Sequence, residues 1–123
     1  MTNDIEQEII DKGLTAPRVT AADIEAEIAS EHYFTAADGR AGAIEVGAYV
    51  GRERPALGDA DLDPLGRLTF CVLVLRNGYT VTGESACASP ENFDTGLGRK
   101  IARQKAVEKI WPLLGFRLRD KLA

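Results

Sequence analysis

Two arginines four residues apart are the strongest candidates for chemistry in this sequence. Arg99 and Arg103 lie in a segment with helical periodicity, so their spacing places both guanidiniums on one helix face. Such a pair can hold a phosphate or pyrophosphate through bidentate, charge-assisted hydrogen bonds. Lys100, Lys105 and Lys109 make the same segment strongly basic. The pattern predicts an anion-binding face, with a solvated face that complements acidic segments elsewhere as the alternative.

Residues close to this helix suit a nucleotide. Asn92 and Phe93 precede Arg99 by a few positions, and Tyr79 lies at the predicted tip of a hairpin. An aromatic ring can stack on a base, an amide can hydrogen-bond to the edge of the base, and the arginines can bind its phosphates. The alternative for Phe93 is a core position. The apolar stripe of the predicted helix consists of Phe93, Leu97, Val107, Trp111 and Leu114.

The residues that usually support catalysis or metal binding do not form a recognisable set. Cys71 and Cys87 are the only cysteines, and the predicted strand register separates them too far for a disulfide. One histidine, His32, and the lack of a CxxC motif disfavour zinc. Ser85 and Ser89 lack the GxSxG context of an activated nucleophile. We therefore expect a protein that is not an enzyme and that uses no metal or cofactor.

The charge of the chain is divided between its halves. Residues 1–65 carry fourteen acids and five bases, a net charge of −9, whereas residues 66–123 carry five acids and ten bases, a net charge of +5. This asymmetry directs the search for an anionic partner to the second half. Alternatively, the halves neutralise each other within one chain or between subunits. The overall acidity, −4 for 123 residues, makes nucleic acid an unfavourable partner.

The same sequence predicts a cytoplasmic protein. It has no apolar run long enough to span a bilayer, and its first residues lack the basic-then-apolar pattern of a signal peptide.

The elements that must position these residues indicate a single α+β domain over residues 1–123. We predict two short N-terminal helices, over about 2–12 and 21–32, the second preceded by a capping box at Thr20 and Asp23. Residues 34–66 are rich in glycine and are predicted to form a flexible loop or an insertion with a short strand at 43–50.

A central antiparallel β-hairpin follows, because two strand-forming runs, 68–75 and 79–85, flank Asn77-Gly78. A two-residue turn would pair Val72 with Gly83 and Cys71 with Glu84. The first strand is apolar on both faces, so helices or another subunit should cover it.

A long C-terminal helix is predicted to start at Ser89-Pro90-Glu91. Pro112 should end or kink this helix near Trp111. The last segment, residues 116–119, is open to either a strand or a short helix.

Several segments of the sequence resemble a family of small tailed-phage proteins. They are LTAPRVT (14–20), YFTA (33–36), NGYTVTGESAC (77–87), SPENFD (89–94), GRKIA (98–102) and KIWPL (109–113). The likeness is most specific over residues 68–115 and covers most of the chain.

The predicted architecture also resembles the Thoeris anti-defence proteins of phages. This resemblance implies a homo-oligomer, a dimer or a hexamer, that sequesters a cyclic ADP-ribose-like signal or a cyclic oligonucleotide in the host cytoplasm without turnover. Its ligand site would use the arginine-bearing helix and the nearby amide and aromatic residues. The alternatives are a phage accessory protein that associates with nucleic acid, or one that binds a host protein.

Overall fold

The computed structural model describes residues 2–53 and 59–123, and the chain has the predicted α+β fold. A three-stranded antiparallel sheet in the order β1-β2-β3 is packed on one face by a long helical segment. In chain order the elements are α1 (Thr2–Asp11), α2 (Ala21–Glu27), β1 (Ile28–Thr35), α3 (Ala36–Glu45), α4 (Asp59–Gly66), β2 (Leu68–Leu75), β3 (Thr80–Ala86), a short 3₁₀ turn (Pro90–Asn92), α5 (Thr95–Glu108) and α6 (Ile110–Leu122).

A row of small residues on α5 forms the interface with the sheet. Gly98, Ala102 and Ala106 recur every four residues and are buried, and the row continues through Ile110 and Leu114 in α6. Because these side chains are small, the helix axis can approach the strands closely. The buried apolar residues are Ile24, Cys71, Leu73, Leu75, Val81, Ala102, Ala106, Ile110 and Leu114.

The predicted apolar stripe of this helix is therefore mostly wrong. Leu97 is 55% exposed, and only Leu114 of that stripe belongs to the buried core. Val107 and Trp111 pack against the core from its edge, and Phe93 precedes the helix and is half-buried. Alanine and glycine contribute little to an apolar periodicity in the sequence. The periodicity therefore followed the larger apolar side chains that lie beside the row of small residues facing the sheet.

The hairpin is present, but its predicted register is wrong by one residue. Leu75 and Tyr79 close a three-residue loop: the Leu75 N–H donates to the Tyr79 carbonyl at 2.8 Å. Gly78 has φ +88°, and no residue other than glycine has a positive φ among those described. A two-residue type I′ loop would need a positive φ at Asn77 as well as at Gly78, and Asn77 does not have one. The loop is instead a type I turn followed by a glycine in the left-handed conformation.

The true register brings apolar residues onto one face. Leu73 lies opposite Val81, and Cys71 lies opposite Gly83, not Glu84. All four point toward α5 and are buried.

The second predicted helix ends five residues early. Its capping box is confirmed, because the Asp23 N–H donates to Thr20 Oγ1 at 3.1 Å and the Thr20 N–H donates to Asp23 Oδ2 at 2.9 Å. The chain then becomes β1, which pairs along β2 from Ile28 to Thr35. His32 consequently lies in a strand and not in a helix.

The strand predicted at 43–50 is also wrong, because α3 occupies residues 36–45. Thr35 and Asp38 form a second capping box at its start, and Gly47, at φ +71°, follows its end. Residues 54–58 of the predicted loop lie outside the described residues.

The C-terminal segment is helical to its end, with a later start than predicted. Asp94 caps α5 by accepting the Leu97 N–H at 2.8 Å. The helical path breaks at Lys109, two residues before the predicted place, and α6 includes residues 116–119. Pro112 lies in the first turn of α6, where its missing N–H is not needed. Within the described ranges, no helix has the length and apolar character needed to cross a membrane.

Among the described glycines, Gly83 has the least room for a side chain. A Cβ there would meet the Ala102 carbonyl oxygen and the Ala106 nitrogen, both at less than 3.0 Å. We expect Gly83→Ala to lower the free energy of unfolding by about 3 kcal/mol or more, because the clash is with helix backbone. Urea denaturation followed by circular dichroism measures the change.

The matched control is Gly115→Ala in α6, where a Cβ would meet nothing within 4 Å. Alanine there should raise the free energy of unfolding by up to about 1 kcal/mol, because it favours the helix. Equal stability of the two variants would contradict the close helix–sheet packing.

Candidate functional site

The predicted site residues fall into three places in the protomer. Asn92 and Phe93 line a cleft at the start of α5. Arg99 and Arg103 lie on the flank of α5 that faces β1, where they contact Tyr33 and Glu31 of that strand. Tyr79 lies in the hairpin, at the far end of β3. Within one chain, Asn92 lies beside Phe93 and Arg99 lies near Arg103, but the five predicted residues do not form a single site.

The cleft at the start of α5, which we call the α5 cleft, has a volume of about 130 Å³. It lies where β3 ends and the 3₁₀ turn leads into the helix. The Cys87 N–H donates to the Arg67 carbonyl at 3.2 Å, which ties the segment after β3 to the start of β2. The lining residues are Arg67, Ser85, Ala86, Cys87, Asn92, Phe93, Asp94, Leu97, Gly98 and Ile101.

Arg67 is the cationic residue in the lining of the α5 cleft. Its Nε is buried and has no hydrogen-bond partner among the described residues. Burial of an unpaired guanidinium N–H is costly, so a ligand acceptor there would be stabilised. The cleft therefore gathers a cation, the amide of Asn92 and the ring of Phe93 in one place. Arg67 is not among the site residues predicted from the sequence, because Arg67 precedes β2 and lies 25 residues from Asn92.

The arginine pair shares one flank of α5, as its spacing predicts, but the two side chains are used differently. The Arg99 guanidinium carbon lies 5.8 Å from the ring centroid of Tyr33, within the range of a cation–π contact. Arg103 binds two carboxylates instead. Its Nε donates to Glu31 at 2.9 Å, and its Nη2 donates to Glu25 at 2.8 Å.

These hydrogen bonds shift the pKa of Arg103 and the pKa of Glu31. The carboxylates of Glu25 and Glu31 raise the pKa of Arg103 above its usual value, and the Arg103 guanidinium lowers the pKa of Glu31. Arg103 is therefore a cross-link from α5 to α2 and β1, and two negative charges already surround it. Its role in anion binding stays a prediction.

Tyr79 is separated from the other predicted residues. The seven residues of β3 span roughly 20 Å at the usual rise per residue, and they separate Tyr79 from the α5 cleft. Its side chain is 58% exposed. In a single chain Tyr79 cannot contact a ligand held by Asn92.

A second cleft lies between α2 and α6 and was not expected from the sequence. This α2–α6 cleft has a volume of about 290 Å³ and four cationic side chains in its lining. They are Arg18, Arg76, Arg117 and Lys121. The four come from three separate parts of the chain, so no local spacing could have revealed them.

The two cysteines lie in different surroundings. Cys71 is fully buried, and burial raises its pKa. Cys87 donates its S–H to the Ser89 carbonyl at 3.1 Å. Both are free thiols. Within the described part of the chain, no group of three histidine, cysteine or acidic residues is placed to hold a metal ion.

The sheet face that points away from α5 carries half-buried apolar residues. Phe70, Val72 and Val74 alternate along β2 on this open sheet face, and Phe34 of β1 packs on Phe70 with ring centroids 5.7 Å apart. On β3 the same face shows exposed threonines. The predicted apolar character of β2 on both faces is confirmed.

The fold and the two clefts describe a small α+β protein with cationic side chains in both clefts, and comparison with known families gives its relationship. The chain belongs to the phage protein (N4 Gp49/phage Sf6 gene 66) family, whose model matches residues 19–122. The expected membership in a small phage protein family is thus confirmed. Comparison with curated proteins and with solved structures found no match.

The Arg103 cross-link should make stability depend on acid pH. The pKa of Glu31 is depressed below its ordinary 4.5 in the folded protein. As pH falls below 4.5, the unfolded chain takes up a proton at Glu31 that the folded chain does not, so stability is lost until the folded pKa is passed. We expect Arg103→Gln to lower the free energy of unfolding by about 1 kcal/mol at neutral pH and to flatten this acid dependence.

Urea denaturation at a series of pH values measures both effects. Lys100→Gln is the control, since it removes the same charge from an exposed position of α5. An unchanged acid slope in Arg103→Gln would mean that the cross-link does not stabilise the fold.

Proposed function

We propose that this phage protein binds a cyclic nucleotide, of the cyclic ADP-ribose type or a cyclic oligonucleotide, and holds it without converting it. The observation that carries the proposal is the α5 cleft. There the side chains of Phe93, Asn92 and Arg67 line one cavity, and the buried Nε of Arg67 has no partner among the described residues. These groups suit a base, the edge of a base and a phosphate, respectively.

The chemistry of the cleft favours binding over turnover. Its one carboxylate, Asp94, caps α5 by accepting the Leu97 N–H. Its thiol, Cys87, is a hydrogen-bond donor to the Ser89 carbonyl. Both groups have a structural task, and the remaining lining residues bind or pack rather than exchange protons with a ligand.

The size of the cleft favours a site shared between copies of the chain. A volume of about 130 Å³ is well below the ~300–1,000 Å³ of a complete small-molecule pocket. The cleft would hold one base or one phosphate, and a second copy would bind the rest of the ligand. Arg99 and Tyr79, which lie away from the cleft in one chain, are available to approach it from a neighbouring one.

A homo-oligomer, a dimer or a hexamer, is part of this proposal. Phe70, Val72 and Val74 on the open sheet face offer apolar area that a second copy would cover. Burial of this face would complete a sheet with apolar residues on both sides. The protein would act in this form in the host cytoplasm.

Calorimetry with cyclic ADP-ribose isomers and cyclic oligonucleotides tests the ligand. We expect saturable binding, and Arg67→Gln should weaken it by about tenfold or more, because a charge-assisted hydrogen bond is lost. Asn92→Ala should weaken it by several-fold for the lost amide contacts.

Lys105→Gln is the matched control, because it removes a charge from α5 at an exposed position outside the cleft lining. Absence of any heat with all of these nucleotides at tens of micromolar protein would contradict the proposed function. So would an equal loss of affinity in Lys105→Gln.

Light scattering after gel filtration tests the assembly. We expect the wild-type chain to elute as a dimer or a hexamer and Val72→Glu to dissociate it, because the new carboxylate would be buried at the interface. Val46→Glu is the control: it places the same charge at a position that is 76% exposed and outside the sheet. A wild-type monomer at high micromolar concentration would contradict the shared site.

A further inference from the structure

The α2–α6 cleft is built by three parts of the chain that meet at one end of the sheet. The Arg76 N–H donates to the Glu27 carbonyl at 3.0 Å, which ties the hairpin loop to the end of α2. Arg117 of α6 donates to Glu27 Oε1 at 2.7 Å and to Oε2 at 3.2 Å. Both contacts fix the walls of the cleft, so its shape is set before any ligand arrives.

The charges of the cleft are not balanced. Its lining holds four cationic side chains and two carboxylates, Asp23 and Glu27. Asp23 is held by its capping bond to Thr20, and Glu27 is paired with Arg117. The described residues give neither Arg76 nor Lys121 an ion-pair partner. Arg18 is paired with Glu6, which lies outside the lining, so the four cations and these three carboxylates leave one positive charge in excess.

Arg76, Arg117 and Lys121 line the same cleft as Glu27. Arg117 lowers the pKa of Glu27 through its hydrogen bonds, and the charges of Arg76 and Lys121 lower it further. Both side chains therefore act on the same carboxylate at the wall of the cleft. A bound anion beside Glu27 would share their positive charge.

We propose that the α2–α6 cleft is a second binding site, for a small molecule that carries a phosphate or pyrophosphate group. Arg76 and Lys121 would bind the anionic oxygens, and Arg18 lies at the rim with its side chain paired to Glu6 at 3.0 Å. The rest of the lining is apolar and would contact the uncharged part of the ligand. It consists of Val19, Ala26, Leu114 and Leu118.

This site is independent of the proposed nucleotide function. It shares no lining residue with the α5 cleft. Its volume, about 290 Å³, is close to the lower bound of complete small-molecule sites, ~300 Å³, so one chain is sufficient to form it.

Nitrogen-15 NMR titration of the full-length protein with inorganic phosphate and with pyrophosphate tests the site. We expect saturable shifts of the backbone amides of residues 26–28, 76 and 117–121, with pyrophosphate tighter than phosphate because it carries more charge. Arg76→Gln and Lys121→Gln should each weaken binding by about tenfold, since each removes a charge-assisted contact. Both side chains are exposed, so the fold should be retained.

Arg119→Gln is the matched control, because Arg119 lies on α6 but outside the cleft. It should change the affinity by less than about twofold, as expected for a charge acting through solvent. Arg67→Gln and Asn92→Ala, which test the α5 cleft, should leave phosphate binding unchanged.

Absence of saturable shifts at millimolar pyrophosphate would overturn the proposal, and the cations would then serve only to offset the negative ends of α2 and α6. An equal loss in Arg119→Gln would also overturn it, since binding would then follow the overall charge of α6. Neither result depends on whether cyclic nucleotides bind elsewhere.

Discussion

The close packing of α5 on the hairpin is the constraint from which the rest of the structure follows. Gly83 leaves no room for a side chain beneath Ala102 and Ala106, so the backbone of α5 can lie directly on β3 at this place. That position sets the two flanks of α5. One flank presents Arg99 and Arg103 to β1, and the other closes the α5 cleft. A larger residue in the row would lift the helix and separate both sets of side chains from their partners.

Elements marked by local signals could be predicted from the sequence, and elements set by distant contacts could not. The capping box at Thr20 and the Asn-Gly hairpin depend on neighbouring residues, and both are present. The hairpin register depended on which face packs on α5, which no local pattern records. The first five residues of β1 lie within the predicted second helix, because the strand's hydrogen-bond partner, β2, lies some forty residues later. The glycines within α3 disfavour the prediction of a helix, although the capping box of Thr35 and Asp38 marks the start of one.

The same distinction applies to the candidate sites. The four-residue spacing correctly placed Arg99 and Arg103 on one face, since that depends only on helix geometry. It could not show that Glu25 and Glu31 occupy the guanidinium of Arg103, because those residues lie more than seventy positions away. The division of charge between the halves has a partial explanation in the fold. Three acids of α2 and β1 pair with two bases of α5 and α6, so part of the asymmetry is neutralised inside one chain.

The cations without an ion-pair partner say more about where an anion could bind than the net charge of the chain does. Arg103 and Arg117 each bind glutamates, and each therefore supports the fold. Arg67 keeps a buried Nε without an acceptor, and Arg76 and Lys121 face a cleft with excess positive charge. A buried donor without a partner carries a free-energy cost that an acceptor on a ligand would offset. Arg76 and Lys121 are exposed, so an anion would gain from them by charge attraction and not by relief of such a cost. Arg67, Arg76 and Lys121 are therefore the basic residues on which the two proposed sites depend.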